Sequence, residues 1–261
     1  MVERSKRGKG KHKLLGNHQK SWIWGRNLVL ETLRGGIWTP LELLVAENFN
    51  GDDAPEAMKL AGDLGVQYEE VPADRIKQLC GTSEHQGFAA KMSAFPYADE
   101  ARLPALIPES KPTLIVICDR IQDPHNFGAI VRSADGFGVS AIIIRNTKQV
   151  GVTSQVARSS AGAVNHVPIV RTESIVDAAK KLQAAGVTLV ACSEKAPQLI
   201  GDCDLNRPTA LVIGNEGRGV SGEMLAQSDE LVSIPMSGTV SSLNAAVAAA
   251  VTMYEVARQR A

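Results

Sequence analysis

The sequence predicts an α/β protein whose larger, C-terminal part is a mostly parallel sheet covered by helices and whose smaller N-terminal part is a separate α/β unit. Three observations carry this. Strand-like apolar runs alternate with helical patterns along most of the chain, the arrangement that parallel sheets with crossover helices require. Runs such as 114–118 and 211–213 are apolar without interruption, as in strands buried on both faces rather than one. Four prolines (Pro96, Pro104, Pro108, Pro112) crowd positions 96–112, which marks a seam between the parts.

In the first part the periodicity predicts a helix over 25–34, a strand over 41–46, a helix over 54–64 closed by Gly65, a strand over 66–71, a short helix over 74–79 and a strand over 85–92. After the seam comes the strand 114–118. A helix over 123–137 follows, with Asp123 as N-cap and Pro124 in the first helical position. Strands are expected over 141–144, 167–170, 188–191, 210–213 and 231–234, with helices over 174–185 and 242–259, the last capped by Ser241 or Ser242. The division is therefore 1–21, a basic arm; 22–95, the small unit; 96–112, a proline-rich linker; and 113–261, the large sheet domain.

The 28 basic and 28 acidic side chains cancel, but their distribution does not. Arg4, Lys6, Arg7, Lys9, Lys11, Lys13 and Lys20 face only Glu3 in the first twenty positions, a net of +6 that leaves 21 basic against 27 acidic residues, or −6, beyond them. The arm has almost nothing to bury, so its composition predicts disorder. The four cysteines form no C-x-x-C pair and no two histidines stand at i, i+4, which excludes zinc-type spacing and gives no disulfide framework. Cys118 and Cys192 each close an apolar run and read as buried free thiols. The N-terminus lacks the apolar core of a secretory signal, and the uncharged stretch 231–254 is broken by Pro235, Gly238 and several Ser and Thr residues, a poor membrane span. The expectation is a soluble, reduced, cytoplasmic protein without a metal.

Three loops leave buried strands with glycine and polar residues, where open α/β sheets bind ligands. The first runs from Asp119 through Asn126 to Arg132. Asn126 falls in the first helical turn and Arg132 six positions on, roughly 120° around the axis. Alone, Asn126 is equally a group that satisfies helix amides and Arg132 a surface cation. The second is Gly214-Asn215-Glu216-Gly217-Arg218-Gly219. It is neither the dinucleotide G-x-G-x-x-G order nor a P-loop; it is a tight turn or a place where backbone approaches a ligand. The third runs from Ile234-Pro235-Met236 to Ser242-Leu243-Asn244, ahead of a stretch of small residues over 245–250. A face of small residues packs closely against another backbone, and the polar, glycine-bearing loop before it suits a ligand rim.

In this order the loops resemble the SpoU/TrmH branch of the SPOUT RNA methyltransferases. The shared motifs are N-x-x-A-I-x-R at Asn126–Arg132, glycines after an apolar strand of the form G-x-E-x-x-G at Gly214–Gly219, and I-P-M-x-G-x-x-x-S-L-N-x-x-x-A from Ile234. The resemblance runs through 113–260. Residues 22–94 are similar to the L30e-like RNA-binding domain that precedes the catalytic domain in bacterial large-subunit (23S) rRNA guanosine 2'-O-methyltransferases, and His85-Gln86-Gly87 with Asp123-Pro124-His125-Asn126 add to that closer likeness.

The resemblance implies a SPOUT-type parallel sheet whose C-terminal segment is tucked into a trefoil knot, and a homodimer packed through that region. It implies S-adenosylmethionine as methyl donor, with Gly214, Asn215 and Gly217 near its methionine moiety or ribose and Ile234, Met236, Ser242 and Leu243 around its adenine. The acceptor would be a guanosine ribose of 23S rRNA. Catalytic roles fall on Arg132, Asn126, Glu216, Ser242 and Asn244, and an arginine of one subunit reaches the other's donor site. Because a guanidinium is a poor proton acceptor at neutral pH, Arg132 is expected to hold the adjacent phosphate and stabilise alkoxide charge while the proton leaves to phosphate or water. Asn126 would orient the ribose or Arg132, Glu216 would fix the arginine or a motif loop, and Ser242 with Asn244 would complete the acceptor side. The alternatives are a tRNA or another rRNA site as target, or a non-catalytic RNA-binding assembly factor that kept the fold.

Overall fold

The computed structural model describes residues 21–49, 51–107, 112–239 and 242–261. The basic arm as far as Lys20, Pro108, Val240 and Ser241 lie outside them.

The small unit is built from β1 (Trp22–Trp24), α1 (Arg26–Gly35), β2 (Pro40–Ala46), α2 (Asp53–Asp63), β3 (Gln67–Val71), α3 (Ala73–Cys80) and β4 (Phe88–Met92). Its sheet runs β1-β4-β2-β3, with β4 antiparallel to both neighbours and β2 parallel to β3. Strand β1, a Trp-Ile-Trp tripeptide, is too short to carry a period and was not expected. Strand β4 starts at Phe88 rather than 85 because His85–Gly87 is a turn, in which the Gly87 amide donates to His85 Nδ1 at 3.1 Å.

The proline-rich stretch is packed along its described length. The Tyr97 hydroxyl accepts from the Val152 amide at 2.7 Å, Ala98 bridges to Val170, and a 3₁₀ turn over Glu100–Leu106 buries Leu103. The apolar residues between the prolines supply these contacts.

The large sheet contains β5 (Leu114–Asp119), β6 (Ala141–Arg145), β7 (Ile169–Thr172), β8 (Thr188–Cys192), β9 (Gln198–Leu199), β10 (Thr209–Gly214) and β11 (Glu230–Ser233). The order is β7-β6-β5-β10-β8-β11-β9, and every neighbouring pair is parallel. Helices α4 (Pro124–Gly136), α5 (Ser154–Ser159), α6 (Ile175–Ala184), α7 (Gly222–Gln227) and α8 (Ala245–Gln259) cover it. Side chains alternate across a strand, so β5 splits its apolar run. Leu114, Val116 and Cys118 join the core that includes α4 and α8, whereas Ile115 and Ile117 join the one that includes α6 and α7. That double burial explains the uninterrupted run.

From β5 the chain moves outward to β6 and β7, and from β10 it moves to β11 on the opposite side, so the winding reverses at the β5/β10 boundary. Helix α4 starts as the sequence predicts: the Asp123 carboxylate accepts from the His125 amide at 2.9 Å and Pro124 is the first helical residue. Gly128 allows its contact with α5, because a Cβ there would overlap the Ser159 side chain. Helix α8 starts later than expected. Asn244, not Ser241 or Ser242, is the cap, its side-chain oxygen accepting from Ala246 and Val247 amides at 2.9 and 3.3 Å. Asparagine caps as well as serine, and this choice leaves 242–243 ahead of the helix.

Candidate active site

The carboxyl ends of β10, β8 and β11 lie side by side, and the loops leaving them enclose a cavity of about 460 Å³. That is within the range of small-molecule sites. Residues Ile213 to Val220 after β10 form one side, Cys192 to Lys195 after β8 another, and Ile234, Met236, Ser242 and Leu243 after β11 a third. Apolar walls from Ile213, Val220, Val232, Ile234 and Leu243 are edged by Ser193, Glu194, Lys195 and Asn215. Gly214, Asn215, Glu216, Gly217, Ile234, Met236, Ser242 and Leu243 all line it. Met236 is 41% exposed, which separates it from core filler.

The second loop owes its shape to two residues. A Cβ on Gly214 would overlap the Gly219 carbonyl carbon and the Val220 nitrogen, so only glycine lets the loop fold back on its own strand. Asn215 then locks the turn: its Oδ1 accepts from the Gly217 and Arg218 amides at 3.0 and 3.2 Å, and its Nδ2 donates to the Arg120 carbonyl at 3.0 Å. An asparagine that bonds its own backbone ahead is a standard turn device.

One chain of side-chain hydrogen bonds joins all three loops. The Asn244 amide donates to Asn126 Oδ1 at 3.0 Å, the Asn126 amide donates to Glu216 Oε1, and Asn215 Nδ2 donates to Glu216 Oε2 at 3.2 Å. An ionised carboxylate only accepts, so Glu216 fixes which end of Asn126 faces it and leaves the Asn126 oxygen for Asn244. Glu216 therefore holds loops rather than the arginine, and the α4 amides are served by Asp123 instead of Asn126.

Arg132 stands apart. It is exposed on α4, outside the cavity lining, and no hydrogen bond or ion pair joins its side chain to another described residue. The Phe137 and Tyr254 rings, 6.4 Å apart, place its helix beside the exposed face of α8.

Cys192 to Lys195 were not anticipated. No glycine or motif marks them, yet Ser-Glu-Lys directly after a buried strand was a usable signal once β8 is known to lie beside β10. Burial pushes the Cys118 and Cys192 thiols up to about 12, with the charges of Asp119 and Glu216 adding to the first and the Thr252 hydroxyl opposing the second. Both are neutral thiols at physiological pH and not nucleophiles. Among the described residues no group of His, Cys, Asp and Glu could hold a metal ion, and no helix is long and apolar enough to cross a membrane.

Residues 113–254 match the SpoU rRNA Methylase family, and residues 22–98 match the family described as RNA 2'-O ribose methyltransferase substrate binding. A putative TrmH family tRNA/rRNA methyltransferase of Bacillus subtilis is 35% identical over 245 residues, 94% of this chain and 98% of that protein. The SpoU methyltransferase AviRb from Streptomyces viridochromogenes, solved in complex with the cofactor AdoMet, has a TM-score of 0.77 at 31% identity over 94% of this chain and 95% of that one. An AdoMet-bound rRNA methyltransferase from Sinorhizobium meliloti has a TM-score of 0.78 at 26% identity over 91% and 86% of the two chains.

Proposed function

The chain belongs to the SpoU rRNA methylase family, and from that premise we propose that it methylates the ribose 2'-hydroxyl of a guanosine in large-subunit (23S) rRNA. That it is an RNA 2'-O-methyltransferase using S-adenosylmethionine follows from family and fold together. The observation that supports the site assignment is the hydrogen-bond chain Asn244–Asn126–Glu216, which ties the first motif loop to the two motif loops that line the cavity. Ribosomal RNA is favoured because the chain carries a substrate-binding unit over 22–98 and because the Sinorhizobium rRNA methyltransferase spans both parts. Guanosine rests on the His85-Gln86-Gly87 and Asp123-Pro124-His125-Asn126 likeness. On this reading 22–95 is the L30e-like RNA-binding domain, 113–261 is the knotted catalytic domain, and the protein acts in the cytoplasm, where its substrate is made.

The cavity fits the donor: a glycine-bearing turn that lets a ligand approach the backbone, apolar walls beside it, and a volume of about 460 Å³. Gly214, Asn215 and Gly217 would hold the amino-acid or ribose part, and Ile234, Met236, Ser242 and Leu243 the adenine. The donor supplies an electrophilic methyl group on a sulfonium. The chain's own work is alignment and charge. Arg132 grips the phosphate next to the target and stabilises the negative charge that grows on the hydroxyl oxygen, while the proton passes to phosphate or water. Asn126 and Asn244, held by Glu216, fix the acceptor side of the rim together with Ser242.

Arg132 does not line its own chain's cavity, and Val247, Val251 and Tyr254 leave an apolar stripe on α8 that is 47%, 37% and 57% exposed. Contiguous exposed apolar surface marks an interaction site. A homodimer packed through α8, with Arg132 serving the partner's cavity, accounts for both facts.

The test is to map ribose methylation across cellular RNA with and without the protein. A single guanosine mark lost from large-subunit rRNA is the expected result. A lost tRNA mark would move the substrate to tRNA, and no lost mark alongside tight RNA binding would make the chain a binding factor.

A further inference from the structure

A second cavity, of about 580 Å³, lies at the carboxyl ends of β5 and β6, on the other side of the Asn215–Gly219 turn. It shares Asn215 and Arg218 with the donor cavity but has a different chemistry. Four cations line it, Arg120, Arg145, Lys148 and Arg218, against two carboxylates, Asp119 and Glu223. Asp119 is only 1% exposed and fully engaged, accepting from Arg120 Nε at 3.2 Å and from the Ser221 amide at 2.6 Å. Glu223 is 75% exposed on its side chain and lies 3.9 Å from Arg145. The side chains of Lys148 and Arg218 have no hydrogen-bond or ion-pair partner among the described residues, and Arg145 Nε is buried with none.

Two further facts bear on this place. It sits at the β5/β10 boundary, where the winding of the sheet reverses and where open α/β sheets bind their ligands; the donor cavity, over β8, β10 and β11, leaves that crevice free. Arg120 and Lys148 also hold left-handed backbone, at φ 65° and 57°, a conformation that costs non-glycine residues energy and collects at ligand clamps.

We propose that this cavity binds a backbone phosphate of the RNA strand close to the target nucleotide, as an anchor separate from Arg132. The proposal rests on the RNA methyltransferase reading above and adds a subsite to it. Three guanidinium groups and an ammonium with a net surplus of positive charge match a phosphodiester, which arginine grips with paired N–H donors. Because the Asn215–Gly219 turn is the wall between the cavities, a strand held here runs along the rim of the donor site.

The test uses the full chain with Arg145→Gln and Lys148→Ala combined, neither residue lining the donor cavity. Calorimetric titration with S-adenosylmethionine is expected to match the wild type, which shows that the fold is kept. RNA binding is expected to weaken at least about tenfold, and the slope of log affinity against log salt to become shallower by about 1 to 2. A scan of single methylphosphonate substitutions along the RNA should find a position that weakens the wild type and leaves the variant unchanged. Inorganic phosphate at constant ionic strength should displace RNA no better than chloride. Unchanged RNA affinity and salt slope overturn the proposal, as does a methylphosphonate penalty that is equal in both proteins at every position. Saturable displacement by inorganic phosphate would give the cavity to a free anion instead. A wild type that binds no RNA at all would fail the functional reading itself, a result distinct from each of these.

Discussion

Glu216 shows how much a single side chain can organise. Its two oxygens take one donor each from Asn126 and Asn215, and through Asn126 it reaches Asn244. The Asn215 contact stiffens the loop after β10, and the Asn126 contact ties that loop to the start of α4 and, through Asn244, to the cap of α8. Arg132, by contrast, has no side-chain partner among the described residues, which suits its proposed partner, the RNA. A lysine there keeps the charge but loses the planar fork. Arg132→Lys is therefore expected to bind S-adenosylmethionine normally and to lower kcat about 10- to 100-fold, the equivalent of one lost charge-assisted hydrogen bond pair. Single-turnover kinetics on RNA would measure this, and near-normal turnover would show that charge alone suffices.

At the scale of elements, α8 has two faces with different jobs. Ala245, Ala249, Met253 and Val256 are buried in the core, whereas Val247, Val251 and Tyr254 recur at i, i+4 and i+7 on the outside. Its far end is pinned to the base of the sheet by Arg260, which donates to the carbonyls of Leu205, Pro112, Thr113 and Arg207. A charge on the outer stripe should break the proposed dimer without disturbing the core. Val251→Glu is expected to cost about 3 kcal/mol or more of association energy, seen by sedimentation as a shift from two chains to one, with donor binding retained and methyl transfer lost. A wild type that sediments as one chain would refute the dimer.

Elements that repeat a pattern for several turns or strands were readable from the sequence. The run at 114–118 gave β5, and Asp123 with Pro124 gave the start of α4. The six-residue helices α5 and α7 hold fewer than two turns, and the two- and three-residue strands β9 and β1 hold no full alternation, so neither kind carries enough periodicity to register. The start of α8 was misplaced because Ser241, Ser242 and Asn244 are all competent caps, and only tertiary contact chooses among them. The glycine-marked loops were found for the same reason that the Cys192–Lys195 wall was missed: glycine signals a constrained backbone, and this wall needs none.

For the whole molecule, the two sheets meet through specific contacts rather than a loose seam. Asn165 of the large domain donates to Thr32 of α1 at 3.1 Å, and the Arg158 guanidinium lies 4.5 Å from the Trp24 ring centre. The small unit is thus docked on the large domain by groups that do not line the cavity over β8, β10 and β11. The formal charge of −6 beyond residue 20 would repel RNA if it were evenly spread. The cluster of Arg120, Arg145, Lys148 and Arg218 shows that it is not, and sequence order gives no hint of that cluster because its members lie up to 98 positions apart.

Transfer of labelled methyl groups from S-adenosylmethionine to purified large-subunit rRNA, followed by alkaline hydrolysis, tests the account most directly, because a methylated 2'-oxygen blocks cleavage at its own nucleotide. The label should emerge in alkali-resistant dinucleotides whose 5' member is guanosine. Label in single nucleotides, or none in RNA while the donor still binds, would contradict it.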